Sequence, residues 1–209
     1  MTVTRLLVAT NNDHKIHEFT RLFEGTPIEL TTPRVVGLEL DVVEDGATFA
    51  ENAAIKARAF SAASGMPALA DDSGIEVDAL DGRPGVQSAR YGGPGLTDKD
   101  RVALLLREMD GVPDARRMCR YRVVLVLAQP DGGTELMAEG ATEGLVAHAA
   151  AGQNGFGYDP IFLVPEQGRT MAQLTPAEKD AISHRGRAAR AFLELLRSEG
   201  PRGRASPLR

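Results

Sequence analysis

The chain has 209 residues, 43% of them hydrophobic and 25% charged, the balance of a soluble globular protein with a substantial core. Its formal charge of −5 argues against the broad basic face that binding to nucleic acid or an anionic membrane requires. The single cysteine, Cys119, excludes an intramolecular disulfide and a cysteine metal cage.

In chain order, Val3 to Ala9 reads as a buried strand. After the polar turn Thr10-Asn11-Asn12-Asp13 comes an amphipathic helix with Ile16, Phe19, Leu22 and Phe23 on one face. Backbone N–H groups at such a helix start attract an anion, and Lys15 adds a positive charge, although taken alone Asp13 reads first as a helix cap and Lys15 as a solvated surface lysine. Gly37 to Gly46 is an acidic loop with Glu39, Asp41, Glu44 and Asp45, leading to a helix over Thr48 to Ala63. There Thr48 and Glu51 stand at capping-box spacing, and Asn52 and Lys56 share a face. Ala68 to Ala70 reads as a short strand running into Asp71-Asp72-Ser73-Gly74. That tetrapeptide is expected to turn the chain, presenting hard oxygen ligands beside a tight bend, or to serve as turn chemistry alone. Ile75, Val77 and Ala79 then alternate as a half-buried strand.

Gly82 to Gly95 is a glycine- and proline-rich loop containing Ser88-Ala89-Arg90-Tyr91, expected to act as a lid or an interface segment. A helix over Val102 to Met109 and two strands, Arg120 to Leu127 and Glu135 to Val146, follow, the strands joined by the turn Pro130-Asp131-Gly132-Gly133. Gly152 to Pro160 combines backbone freedom with Phe156 and Tyr158, suited to holding a planar base or to turning the chain before the strand Ile161 to Val164. A short helix starts near Pro176, and Ser183-His184-Arg185 caps a final helix whose Ala188, Phe192, Leu195 and Leu196 face inward. A basic pair at a helix start opposes the macrodipole, so an anion would compensate it. No linker divides the chain: one domain over residues 1–199 with a frayed tail over 200–209 is expected. No run approaches the roughly 20 apolar residues of a membrane span, and no signal-peptide pattern opens the chain, so a cytoplasmic protein is expected.

Several motifs occur in one order: Thr-x-Asn-x-x-Lys (Thr10 to Lys15), Thr-Phe-x-Glu-Asn (Thr48 to Asn52) with Lys56, Ala-Asp-Asp-Ser-Gly (Ala70 to Gly74), Pro-Gly-x-x-Ser-Ala-Arg-Tyr (Pro84 to Tyr91), Gly-Phe-Gly-Tyr-Asp-Pro-Ile-Phe (Gly155 to Phe162) and Ala-Ile-Ser-His-Arg-Gly (Ala181 to Gly186). The set resembles the inosine triphosphate pyrophosphatase family, also called dITP/XTP pyrophosphatases, over nearly all of residues 3 to 197. The resemblance implies an elongated, two-lobed α/β fold around a long mixed sheet, with the active site in the cleft, usually as a homodimer. It implies Mg²⁺-dependent hydrolysis of ITP, dITP and XTP to the monophosphate and pyrophosphate.

By matching position, Asp72 would be the catalytic acid/base and a metal ligand, Glu44 a second ligand, and Asp71 a support or further ligand. Ser73 would touch the substrate, Thr10, Asn11, Asn12, Asp13, His14 and Lys15 would cradle the triphosphate with Lys56, and Phe156, Gly157, Tyr158, Asp159, Lys179, His184 and Arg185 would hold the base and its neighbours. A pocket that donates hydrogen bonds to a 6-oxo group leaves adenine's amino donor facing donors, a mismatch able to discriminate by about 10⁴. His184 and Arg185 are the expected donors. Asn11 and His14 stand where the family commonly has glycines, which bears on the geometry of the cradle. Two other readings share these features: a related pyrophosphatase for pyrimidine nucleotides, and a nucleotide-binding regulator that does not hydrolyse. The Gly-Phe-Gly-Tyr-Asp and Ser-His-Arg motifs speak against the first, and three carboxylates facing a triphosphate speak against the second.

Overall fold

The computed structural model describes residues 4–133 and 135–199; Val3 and the tail over 200–209 lie outside that range. Seven strands form one sheet: β1 (Thr4–Val8), β2 (Ile28–Thr31), β3 (Ala68–Val77), β4 (Met118–Ala128), β5 (Leu136–Val146), β6 (Phe162–Val164) and β7 (Arg169–Thr170). Their order is β2-β1-β3-β4-β5-β6-β7. β1 runs parallel to β2 and β3, and every other pairing is antiparallel. The helices are α1 (Asp13–Leu22), α2 (Phe49–Ser64), α3 (Asp98–Glu108), α4 (Pro176–Ile182) and α5 (His184–Glu199). This is the mixed α/β sheet with flanking helices that the motifs imply. Among the described residues no helix is long and apolar enough to cross a membrane.

The pleat of β3 and β4 sorts the core into layers, because successive side chains point to opposite faces. Ala68, Ala70, Val124 and Val126 pack against Ala53, Ala57 and Phe60 of α2, whose small residues let the helix lie close to the sheet. Leu69, Val123 and Leu125 pack instead with Phe19 of α1, Phe23 at its C-terminal cap, and Ala188 and Phe192 of α5. Farther along, Ile75, Val77, Cys119 and Tyr121 meet Leu105 of α3 and Met109 at its C-terminal cap.

The expected turn at Asp71-Asp72-Ser73-Gly74 is a correction: these residues lie inside β3, each paired in register with β4 from Asp71↔Leu125 to Gly74↔Arg122. Ten consecutive cross-strand partners outweigh the turn preference of Asp, Ser and Gly, and the cations described below compensate the carboxylates. Ala79, expected in the following strand, lies in a 3-10 turn, Asp78–Leu80. The glycine-rich stretch from Gly82 is likewise ordered around a 3-10 helix, Gly85–Arg90. α3 starts at Asp98, four residues before Val102, under a capping box made by Thr97 and Asp100. The hydrophobic pattern missed β2, where only Thr31 is buried, and the two-residue β7.

The edge of β3 explains where a cleft forms. β1 pairs with β3 only through Leu7↔Ala68 and Val8↔Leu69, and Ala9 N donates to Leu69 O at 2.8 Å. From Ile75 onward the edge is taken by the 84–88 segment, through Ile75 N to Ser88 Oγ at 3.0 Å and a bridge between Glu76 and Pro84. A Cβ on Gly74 would meet Gly85 O at 2.3 Å, so glycine is what lets that segment approach. Between the two coverings, Ala70 to Gly74 has no strand on that side, and Asp72 and Ser73 face the opening.

Candidate active site

Adjacent residues of β3 send their side chains to opposite faces of the sheet. On the α2 face, Asp72 Oδ1 lies 3.1 Å from Lys56 Nζ, and its Oδ2 accepts from Asn52 Nδ2 at 3.2 Å. Lys56 Nζ also reaches Glu44 Oε2 at 2.6 Å, so one ammonium nitrogen stands where two carboxylates converge. Asn52 and Lys56 owe their positions to the capped start of α2, and Asn52 Oδ1 accepts from Gly46 N at 2.8 Å, holding the acidic loop. Burial pushes the Asp72 carboxyl above its ordinary value against the pull of Lys56 and Lys15. Asp72, Asp71 and Glu44 overcome burial to keep the Lys56 ammonium firmly charged.

On the α1/α5 face lies a second, nearly sealed ionic cluster. Arg185 donates to Asp71 Oδ2 at 2.8 Å, to Glu18 Oε2 at 2.5 Å and to Ser73 Oγ at 3.0 Å. Lys15 Nζ pairs with Asp71 Oδ1 at 3.0 Å, and Lys179 Nζ spans Glu18 Oε1 at 2.8 Å and Asp159 Oδ2 at 2.5 Å. Burial alone would raise Asp71, but Lys15 and Arg185 hold its carboxyl far below the usual range. Burial, uncompensated by its single partner, lowers Lys15. The basic start of α5 is therefore neutralised from within the protein by Asp71 and Glu18. Its other member is His184, whose pKa is driven well down by burial and by Arg185 and Lys179, which favours the neutral imidazole. A Cβ on Gly140 would meet His184 O at 2.1 Å, so that glycine lets the start of α5 settle onto β5.

The Gly155 to Asp159 loop is tied down on three sides. Asp159 Oδ2 accepts from Phe156 N at 2.8 Å, Tyr158 Oη donates to Ser88 O at 3.0 Å, and Asp98 Oδ2 accepts from Gly157 N at 3.0 Å. The Tyr121 ring stacks on His184 at 4.6 Å, and its hydroxyl donates to Asp159 Oδ1 at 3.2 Å. Between these walls lies a cavity of about 340 Å³. Its lining includes Glu44, Lys56 and Asp72 together with Phe156, Lys179 and His184.

A family model described as the Ham1 family matches residues 6–195. The chain belongs to the Ham1 family. A dITP/XTP pyrophosphatase of Symbiobacterium thermophilum is 51% identical over 199 residues, 94% of this chain and 96% of its own length. One of Geobacillus kaustophilus is 47% identical over 183 residues, 88% of this chain and 89% of its own length. The solved HAM1 protein of Coxiella burnetii superimposes with a TM-score of 0.84 at 39% identity, covering 93% of this chain and 99% of its own.

Of the residues the motifs single out in this Ham1 chain, Thr10, Asn11, Asn12, Lys15, Glu44, Lys56, Asp72, Ser73, Phe156, Gly157, Tyr158, Asp159, Lys179, His184 and Arg185 line the cavity. Asp71 lies behind it, with Arg185 and Lys15 as its partners. Asp13 points away, in an exposed pair with Arg34 at 3.3 Å. Asn11 Nδ2 donates to Leu40 O at 3.0 Å, fastening the acidic loop, and the His14 ring stacks on Phe156 at 5.2 Å. Asn12 caps α1 by accepting from His14 N and Lys15 N, so an anion at this helix start competes with a side chain for those amides. Sequence reasoning missed Glu18 and Tyr121. Glu18 could have been found, since it follows Lys15 by three residues, beside Phe19 on the face of α1 that turns inward.

Proposed function

We propose that this Ham1 chain, through one catalytic domain spanning residues 1–199, hydrolyses deaminated purine nucleoside triphosphates (ITP, dITP and XTP) to the monophosphate and pyrophosphate. The observation that carries this reading is a cavity whose lining has two chemically distinct parts. Glu44 and Asp72 converge on the Lys56 ammonium in one part of the lining, and Phe156, Tyr121 and the His184 imidazole stand in another. The names borne by its relatives agree with it.

Glu44 and Asp72 fit Mg²⁺ as hard carboxylate ligands. Among the described residues no third His, Cys, Asp or Glu completes a protein cage, which suits an ion that takes its remaining ligands from phosphate and water. Bound there, Mg²⁺ would neutralise and polarise phosphoryl oxygens. Asp72, oriented by Asn52 and Lys56, is the base that takes the proton of the attacking water. Lys56 and Lys15, although each is paired with carboxylate, keep ammonium N–H donors free to turn toward phosphate oxygens as the α–β anhydride bond breaks. In the other part of the lining Phe156 offers its ring to the base, and His184 with Lys179 offers donors to a 6-oxo edge. Arg185 contributes less there than its sequence position suggests: four of the five donors of a guanidinium are already engaged by Asp71, Glu18 and Ser73. A cytoplasmic homodimer belongs to the same proposal, the buried Cys119 suiting a reducing compartment.

The test is pyrophosphate release from ITP, XTP, GTP, ATP, dTTP and UTP, side by side, with Mg²⁺ and with EDTA. Metal-dependent release from ITP and XTP far above the other four is expected. A preference for dTTP or UTP, or no release, would overturn the reading.

A further inference from the structure

The cavity wall carries five cationic side chains, Lys15, Lys56, Lys179, Arg185 and Arg90. The first four are matched by Glu18, Glu44, Asp71, Asp72 and Asp159, each at 3.1 Å or closer to a cationic nitrogen. Five carboxylates against four cations leave this part of the wall without spare positive charge for a polyanion. Arg90 differs. Among the described residues it forms no ion pair, and its guanidinium is held only by neutral oxygens, Glu44 O at 3.3 Å and Gln87 Oε1 at 3.4 Å.

Its backbone, by contrast, is firmly placed. Arg90 ends the 3-10 helix Gly85–Arg90, in which Ser88 accepts from Ile75 N at 3.0 Å, donates to Gly85 O at 2.6 Å and offers its own carbonyl to Tyr158 Oη. That platform covers the edge of β3 just past the open stretch holding Asp72. The contact with the Glu44 carbonyl sets the guanidinium beside the residue whose carboxylate meets Lys56. A fixed backbone carrying a lightly held, unneutralised guanidinium is suited to an arriving anion, because few bonds must break and the fork matches phosphate oxygens.

We propose that Arg90 is a substrate-contacting residue that binds the terminal phosphates of the triphosphate, the part that leaves as pyrophosphate. The assignment rests on the triphosphate reading of the site. Binding there exchanges two long hydrogen bonds to neutral oxygens for charge-assisted ones and supplies the positive charge that the paired lysines lack.

Arg90→Ala and Arg90→Lys, compared with the unaltered protein, test this through the binding of inorganic pyrophosphate, inorganic tripolyphosphate and IMP, alongside hydrolysis of ITP. Arg90→Ala is expected to weaken pyrophosphate and tripolyphosphate about 10- to 100-fold, the range of a charged hydrogen bond, with IMP binding and the thermal midpoint unchanged. Arg90→Lys should recover part of the loss. Unchanged tripolyphosphate binding in Arg90→Ala, or equal losses for IMP and pyrophosphate, would overturn the assignment. If the unaltered protein failed to hydrolyse ITP but tripolyphosphate binding still fell in Arg90→Ala, the substrate reading would fail and the anion contact would stand.

Discussion

Replacing Glu18 with Gln removes one charge from the sealed cluster while keeping its shape. Glu18 is 6% exposed and bridges Arg185 at 2.5 Å and Lys179 at 2.8 Å. Without its charge, Lys15, Lys179 and Arg185 share only Asp71 and Asp159, so one buried cation goes uncompensated. Breaking a buried ion pair from one side costs about 3–5 kcal/mol. In a chain of this length each kcal/mol moves the thermal midpoint by about 2–4 °C, which gives a fall of roughly 6–20 °C. The assay is thermal unfolding followed by circular dichroism at neutral pH, in low and high salt, with Asp13→Asn as the comparison. Asp13 pairs with Arg34 across side chains 62% and 83% exposed, so its loss should be at most about 1 kcal/mol and should vanish in salt. The Glu18→Gln loss should persist in salt, and KM for ITP should rise as Lys179 and Arg185 lose their anchor. A midpoint no lower than that of Asp13→Asn would refute the reasoning.

Asp72→Asn should reduce kcat by about 10²- to 10⁴-fold, the contribution of a general base, while ITP still binds in a titration; intact turnover would remove Asp72 from that role. His184 gives a pH dependence of definite sign. Its folded pKa lies well below 6.5, so the folded protein declines a proton that the unfolded chain accepts, and stability falls as pH drops below about 6.5. The slope is roughly 1.4 kcal/mol per pH unit, and urea unfolding of His184→Gln across that range should lack it. Parallel slopes in the two proteins would show that the imidazole is protonated in the fold.

The apolar pattern was enough to place α1, α2, α5, β4 and β5: each helix turns one apolar face to the sheet, and β4 carries a long apolar run because it is covered on both faces. It misread Asp71 to Gly74, where strand pairing with β4 overrides a local turn preference and the compensating cations come from residues 15, 56 and 185. No local signal carries that information. The capped start of α2 was legible from Thr48 and Glu51, and with it the shared face of Asn52 and Lys56, but not that Lys56 would stand between Glu44 and Asp72. Ordered motifs named most of the cavity wall. Arg90 lay inside one of those motifs, yet what distinguishes it, the missing carboxylate partner, exists only in three dimensions.

Because Asp71 and Asp72 are consecutive in a pleated strand, they answer to different halves of the molecule. The hydrogen-bonding and ion-pair partners of Asp71 come from α1, β3 and α5; those of Asp72 come from α2. A substitution that disturbs α2 therefore reaches Asp72 first, and one that disturbs α1 or α5 reaches Asp71, although a single peptide bond joins the two residues.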